Sequence, residues 1–191
     1  KEYKKNERKI REYLESAKKK SRDEIFFELC FCLLTPQSKA ERCRESLKAT
    51  WDKLLYMSEK ELASKLCARF PNNKAKYLVL ARDNFDSIYE KIKSENAIAL
   101  REWLVKNVKG FGYKEASHFL RNIGRGENFA IIDRHIIKTM SKFIPIPKTL
   151  TRKNYLEYEK RFQDFAKSFG LSPAELDITI WLSSSGSKEI M

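Results

Sequence analysis

Histidine is nearly absent from this chain: among 191 residues only His118 and His135 carry an imidazole. Four cysteines, Cys30, Cys32, Cys43 and Cys67, complete the soft-ligand inventory, and no two are spaced Cys-x-x-Cys. A zinc site is therefore not expected, and no metal and no cofactor are assigned. Cys30 and Cys32 fall in an apolar run, where cysteine packs as a small hydrophobe, so buried free thiols are expected in place of disulfides. No run approaches roughly 18 apolar residues, which excludes a transmembrane helix. The opening Lys-Glu-Tyr-Lys-Lys-Asn-Glu-Arg is too polar for a secretory leader. A soluble intracellular protein, cytoplasmic or nucleoid-associated, is expected. Six glycines and five prolines are few for this length, and strand-like alternation is nearly missing, which excludes a sheet-based fold.

What the chain does have is positive charge. Lysine and arginine number 39 against 26 aspartates and glutamates, a net charge of +13. Hydrophobic residues at 42% and aromatics at 12% suffice for a core, so wholesale disorder is excluded. Such a basic chain points to a polyanionic partner. Nucleic acid leads, an acidic membrane surface competes, and a merely solvated basic surface is the third reading. No helix pairs a strongly basic face with an exposed aromatic one, so no membrane partner is assigned. No heptad seam appears, and a monomer is expected.

The punctuation marks helices. Ser21-Arg22-Asp23-Glu24 has the capping-box form and precedes a segment, Ile25 to Leu34, that is apolar almost all round. That pattern predicts a central buried helix, ended by Pro36. Ser58 to Glu61 is a second capping box, opening a helix through about Cys67. A long helix is predicted from Asn73 to Lys93, with Tyr77, Leu80, Ala81, Phe85 and Ile88 at three-to-four spacing. Asn96 caps the next, through Asn107. A Gly-containing turn leads into Lys114 to Asn122, with Gly124 as C′ residue. A helix starts near Asp133, Thr151 caps one that Gly170 ends, and Ser172-Pro173 opens the last, through Trp181. Ile144-Pro145-Ile146-Pro147 is non-helical. Eight or more helices and no sheet make the fold all-α.

The informative stretch is Asn107-Val108-Lys109-Gly110-Phe111-Gly112-Tyr113-Lys114-Glu115-Ala116. Gly110 and Gly112 permit a tight turn, and the backbone N–H groups there suit a phosphate oxygen, a contact that positions DNA without reading its sequence. An ordinary helix–helix turn explains the same glycines. Lys114 falls in the first helical turn, where the dipole and partial desolvation both disfavour the ammonium form, and a lysine so lowered is a Schiff-base nucleophile. Nineteen residues later, Asp133 follows the apolar run Ala130-Ile131-Ile132. It can serve as an N-cap, or as a carboxylate that stabilises cationic sugar character and aids proton transfer.

Gly110-Phe111-Gly112-Tyr113-Lys114 followed by Asp133 resembles the helix-hairpin-helix, Gly/Pro-rich loop and Asp superfamily of base-excision DNA glycosylases. Lys114-Glu115-Ala116-Ser117-His118-Phe119-Leu120-Arg121-Asn122, with Ala130-Ile131-Ile132-Asp133-Arg134-His135, is most similar to the archaeal-type 8-oxoguanine DNA glycosylase/AP lyases. Similarity extends to Glu28-Leu29-Cys30-Phe31-Cys32-Leu33-Leu34-Thr35, to Asn73-Lys74-Ala75-Lys76-Tyr77 and to Leu176-Asp177-Ile178-Thr179-Ile180-Trp181, so it spans most of the chain from about Ser21. The resemblance implies a two-lobed helical fold with its active site in the cleft between lobes: 31–128 as the central lobe, and 1–30 with 129–191 as the second. It implies double-stranded DNA containing oxidised guanine as partner. The activity implied is removal of 8-oxoguanine, then strand cleavage 3′ to the abasic site. Lys114 would be the nucleophile and Asp133 the supporting carboxylate.

Because the target base must leave the stack, something must fill the gap. Gln37 stands where related glycosylases place a residue that enters the helix, and a polar loop residue is the plain alternative. Arg134 and Lys138 are candidate phosphate contacts. Phe85, His118, Asp177 and Trp181 are candidate base-pocket residues, although aromatics at helical spacing also serve as core. In two respects the chain departs from related sequences. Iron–sulfur members carry a four-cysteine cluster near the C-terminus, whereas all cysteines here are N-terminal, so no cluster is expected. Archaeal-type members usually end in a lysine implicated in base recognition, while here the last lysine, Lys188, precedes Glu189-Ile190-Met191. The same chemistry on another oxidised base, or a non-enzymatic DNA-binding module, remain the competing readings.

Overall fold

The structure of the chain, a computed structural model, describes residues 1–147, 150–185 and 190. The C-terminal departure around Lys188 therefore lies outside the described residues. Those residues form eleven α-helices and one short 3₁₀ turn, without a strand. None of the described helices is long and apolar enough to cross a membrane. The chain divides into two compact units. One is Lys20–Phe119; the other joins Lys1–Lys19 to Leu120–Met191. The sequence reading sets its divisions at 30/31 and 128/129.

In the Lys20–Phe119 unit, α2 (Arg22–Leu34) is the core helix. Phe31, Leu29, Leu33, Leu34, Cys30 and Cys32 are essentially inaccessible, because the helix is apolar on every face and α3 (Ala40–Thr50) and α5 (Pro71–Asp83) pack against it. Fully burying each large apolar side chain stabilises by about 1.5–3 kcal/mol. Its start is the expected capping box: the Ser21 hydroxyl accepts from Glu24 N–H, and the Glu24 carboxylate accepts from Ser21 N–H. Ser58 and Glu61 repeat it at α4 (Glu59–Lys65). Glu28, the one charge buried in α2, accepts from the Lys20 ammonium at 2.5 Å, with Arg44 at 3.8 Å.

The long helix expected from Asn73 to Lys93 is two helices, α5 and α6 (Phe85–Ser94), broken at Asn84. The Asn84 amide donates to the Leu80 carbonyl at 2.8 Å, and its backbone sits at φ −110°, ψ 8°, outside helical values. Within α5 Leu80 lies on the outer face and is exposed, while Leu78 and Ala81 are buried. Helix α3 was not singled out by its pattern. Helix α7 (Ala97–Asn107) begins as expected, with Asn96 Oδ1 accepting from Ile98 and Ala99 N–H.

In the other unit α11 (Pro173–Ser185) is the core helix, packed by α1 (Glu2–Ala17), α9 (Arg134–Met140) and α10 (Arg152–Ser168). Ile10 and Leu14 of α1 meet Ala174 and Ile178 of α11. A buried ion pair joins Arg121, in the last turn of α8 (Tyr113–Asn122), to Asp177 of α11. Gly124 terminates α8 at φ +70°, with Arg125 N–H donating to Leu120 O at 2.8 Å and Gly124 N–H to Arg121 O at 3.0 Å. Gly170 ends α10 in the same manner. Thr151 occupies the N-cap of α10, but its hydroxyl bonds the Asn154 side chain and caps no backbone N–H. Ser172 does cap α11, in a third box with Glu175.

Candidate functional site

The turn between α7 and α8 is tight for a reason visible at Gly110. Its φ is +98°, and a Cβ there would lie 2.6 Å from the Tyr77 ring and 3.1 Å from Leu33. Only glycine allows the turn to sit this closely on α5 and α2. Gly112 precedes the first residue of α8, and its N–H donates to the Glu115 carboxylate at 3.2 Å. Tyr113 is buried, and its hydroxyl donates to Glu102 of α7 at 2.7 Å, tying the two arms of the hairpin together.

Lys114 follows in the first turn of α8, its side chain 30% exposed and its ammonium 3.2 Å from Glu115 Oε1. Glu115 thus holds both the helix-start N–H and the amine, one on each carboxylate oxygen. His118, one turn on, stands edge-on to the Phe31 ring at 5.9 Å. Phe85 is buried in the same unit with its ring 4.5 Å from Phe26. It lines a cavity of about 390 Å³ together with Arg22, Trp51 and Arg82. Lys114 and His118 are not among the residues lining that cavity.

Gln37 is exposed, in the loop between α2 and α3, with a left-handed φ of +56° that residues other than glycine seldom adopt. The loop is held by Lys74, a residue with no role in the sequence reading. Lys74 is 4% exposed, and its ammonium donates to the Leu34 carbonyl at 2.5 Å, the Pro36 carbonyl at 2.7 Å and the Ser38 hydroxyl at 2.8 Å. Burial pushes this ammonium below the ordinary lysine value, and the positive charge of Lys114 acts in the same direction, against Cys43 and Glu115. A signal was present: Lys74, Leu78 and Ala81 share one face of α5, so a lysine stands in a row of buried positions.

The second unit carries Asp133, Arg134, Asp177 and Trp181. Asp133 caps α9, its Oδ1 accepting from His135 N–H at 2.8 Å and Ile136 N–H at 2.9 Å. Both cap bonds fall on one carboxylate oxygen. The apolar run before it is anchored: Ala130 N–H donates to Glu159 at 3.1 Å, and the Tyr155 hydroxyl donates to Ala130 O at 2.8 Å. Arg134 is exposed, its guanidinium 3.3 Å from the His135 ring, whose other nitrogen meets Ser184 Oγ at 2.8 Å. Trp181 is half-buried on α11, and Asp177 is buried in its pair with Arg121. Of the four cysteines, Cys30, Cys32 and Cys43 are buried and Cys67 is exposed, all as free thiols.

A family model described as 8-oxoguanine DNA glycosylase (Ogg-HhH) matches residues 6–171. A protein of Methanocaldococcus jannaschii named 8-oxoguanine DNA glycosylase/AP lyase is 44% identical over 182 residues, which are 92% of this chain and 86% of that protein. One of the same name from Thermoplasma volcanium is 42% identical over 171 residues, covering 88% and 83%. Among solved structures, the Methanocaldococcus jannaschii 8-oxoguanine glycosylase/lyase in complex with a 15mer DNA containing 8-oxoguanine aligns with TM-score 0.87 and 40% identity over 96% of this chain and 93% of that one. The 8-oxoguanine DNA glycosylase of Thermotoga maritima aligns with TM-score 0.88 and 32% identity, covering 98% and 94%.

Proposed function

This chain belongs to the helix-hairpin-helix 8-oxoguanine DNA glycosylase family, and we propose that it excises 8-oxoguanine from double-stranded DNA and then cleaves the strand, with Lys114 as nucleophile and Asp133 as supporting carboxylate. The observation that carries this reading is the placing of Lys114. It stands part-exposed in the first turn of α8, directly after the Gly110–Gly112 turn, in a chain so similar to a DNA-bound glycosylase/lyase.

Hairpin N–H groups hold a phosphate near the lesion, the Gly112 N–H exchanging the Glu115 carboxylate for it, and Arg134 adds a charged contact from the start of α9. Glu115, beside Lys114, offers an acceptor for the ammonium proton that must leave before attack. The freed amine then attacks C1′ of the extruded nucleotide. The glycosidic C1′–N9 bond breaks, its electron pair leaves with the base, and the base takes up a proton. Opening of the sugar ring gives an imine between C1′ and Lys114. Loss of a proton from C2′ expels the 3′ phosphate, and water releases the enzyme from the imine. The Asp133 carboxylate stabilises the cationic sugar during base departure.

Borohydride trapping tests the reading, using duplexes that carry 8-oxoguanine, an oxidised pyrimidine or no lesion. The expected result is an adduct on the 8-oxoguanine duplex, lost in Lys114→Gln while damaged-DNA binding persists. An adduct with the pyrimidine duplex alone changes the substrate and keeps the mechanism. No adduct from folded protein rejects the lysine mechanism in favour of a monofunctional glycosylase or a binding module.

A further inference from the structure

Lys74 buries an ammonium where a methionine would fill the same space without desolvating a charge, so core packing does not account for it. What the ammonium does, and a hydrocarbon cannot, is tie the last carbonyl of α2 to two acceptors of the loop that follows it. Its three protons are matched by Leu34 O, Pro36 O and Ser38 Oγ. These acceptors lie on both sides of Gln37. The loop is fixed further from outside: Arg69 N–H donates to Ser38 Oγ at 2.8 Å, and the Cys43 thiol donates to Leu34 O at 3.4 Å. Within it, Ser38 N–H closes on Thr35 O at 3.0 Å. Gln37, alone in the loop, has a left-handed backbone, and its side chain is exposed. Such a conformation persists only where the surroundings over-determine it.

We propose that Lys74 is a positioning residue for duplex opening: it clamps the loop 34–38 so that Gln37 is held, ready-made, in the conformation from which its side chain enters the gap left by an extruded base. The proposal rests on the glycosylase reading above and on Gln37 as the gap-filling residue. A rigid loop loses little freedom on entering the helix, whereas a loose one must be ordered during each opening event.

The test is a double-mutant cycle on single-turnover release of 8-oxoguanine from a duplex, using Gln37→Ala, Lys74→Met and both together. Each single variant is expected to slow release about tenfold or more, the scale on which small misplacements act. The double variant is expected to be within about twofold of the slower single one, because the clamp acts only through Gln37. Ser38→Ala, which removes one acceptor and leaves the lysine, supplies a milder arm should Lys74→Met not fold. It is expected to slow release in the wild-type background and to do nothing further in Gln37→Ala. A 2-aminopurine placed beside the lesion, read in the Lys114→Gln background, should lose the change in emission on binding when Lys74 or Gln37 is replaced. Multiplying effects in the cycle would overturn the proposal and leave Lys74 a general support of the fold. A silent Gln37→Ala overturns it at its premise. Absence of base release by the wild-type protein is a different result, and it strikes the glycosylase reading itself.

Discussion

Asp133 caps a helix, and the proposal above gives it a second duty that a single substitution usually confounds with the first. Its Oδ1 caps α9 through His135 and Ile136 N–H, and its charge is assigned to the sugar. Asparagine caps as well as aspartate, whereas alanine forfeits about 1 kcal/mol at such a position. Asp133→Asn is therefore expected to keep the thermal midpoint while slowing base release by about a hundredfold or more, the usual worth of a positioned acid or base. Asp133→Ala should show the same kinetic loss with a lowered midpoint in addition. Differential scanning fluorimetry beside single-turnover kinetics separates the two. If asparagine matched the wild-type rate, Asp133 would be a cap and nothing more. The role of Asp133 as cap was legible in the sequence, because aspartate after an apolar run is a familiar helix start. Lys74 was legible only in part: its alignment with Leu78 and Ala81 marks a buried row of α5, but nothing local names the carbonyls that hold its ammonium there.

Three helices, α2, α4 and α11, begin with the same reciprocal bonds between a serine and the glutamate three residues on. Bonds from the Ser21 N–H and hydroxyl hold Glu24 below the ordinary glutamate value, and those of Ser58 do the same for Glu61. Glu175 is also lowered. Burial, the largest influence on it, raises it, but the hydrogen bonds from Ser172 and Tyr3 and the positive charge of Arg11 together outweigh that effect. A carboxyl lowered in the folded state binds fewer protons there than in the unfolded chain, so stability rises with pH across the interval between the two values. The contribution is complete above the ordinary glutamate value and fades as pH falls through the folded one. Urea midpoints followed from neutral pH into acid should therefore decline below the ordinary glutamate range. The double replacement Glu24→Gln, Glu61→Gln should make that decline shallower, and an unchanged slope would refute the assignment. At this level the sequence was informative wherever a bond is local. Both N-terminal boxes, the Asn96 cap and the glycine ends of α8 and α10 need only a few neighbouring residues. The break at Asn84 and the hydroxyl of Thr151, diverted to Asn154, depended on which of several local bonds the surroundings favoured.

The chain as a whole carries +13, and charge of that size acts through counterion release. Binding to a lesion duplex should weaken steeply with salt, log K falling by about 0.9 per phosphate neutralised for each unit of log salt. Fluorescence anisotropy between low and physiological ionic strength measures the slope, and a flat response would remove the basic surface from the account of binding. The charge itself was readable from composition. The packing of α1 on α11, which joins the two chain ends in one unit, is written in no pattern within either helix.

Composition and short-range pattern settled what depends on a few consecutive residues: an all-helical chain, its caps and glycine stops, the buried α2, the Gly110–Gly112 turn with Lys114 after it, and the basic character that suits DNA. Tertiary structure alone decided which polar groups are taken out of water and what they meet there. The Lys74 ammonium finds the carbonyls of a loop some forty residues away, Asp177 finds Arg121, and Phe85 turns onto Phe26 once α5 has ended at Asn84. Helix starts and stops are fixed by bonds within a turn of chain and therefore leave a trace in sequence. A buried charge is fixed by partners far along the chain, which are named only when the fold brings them into reach.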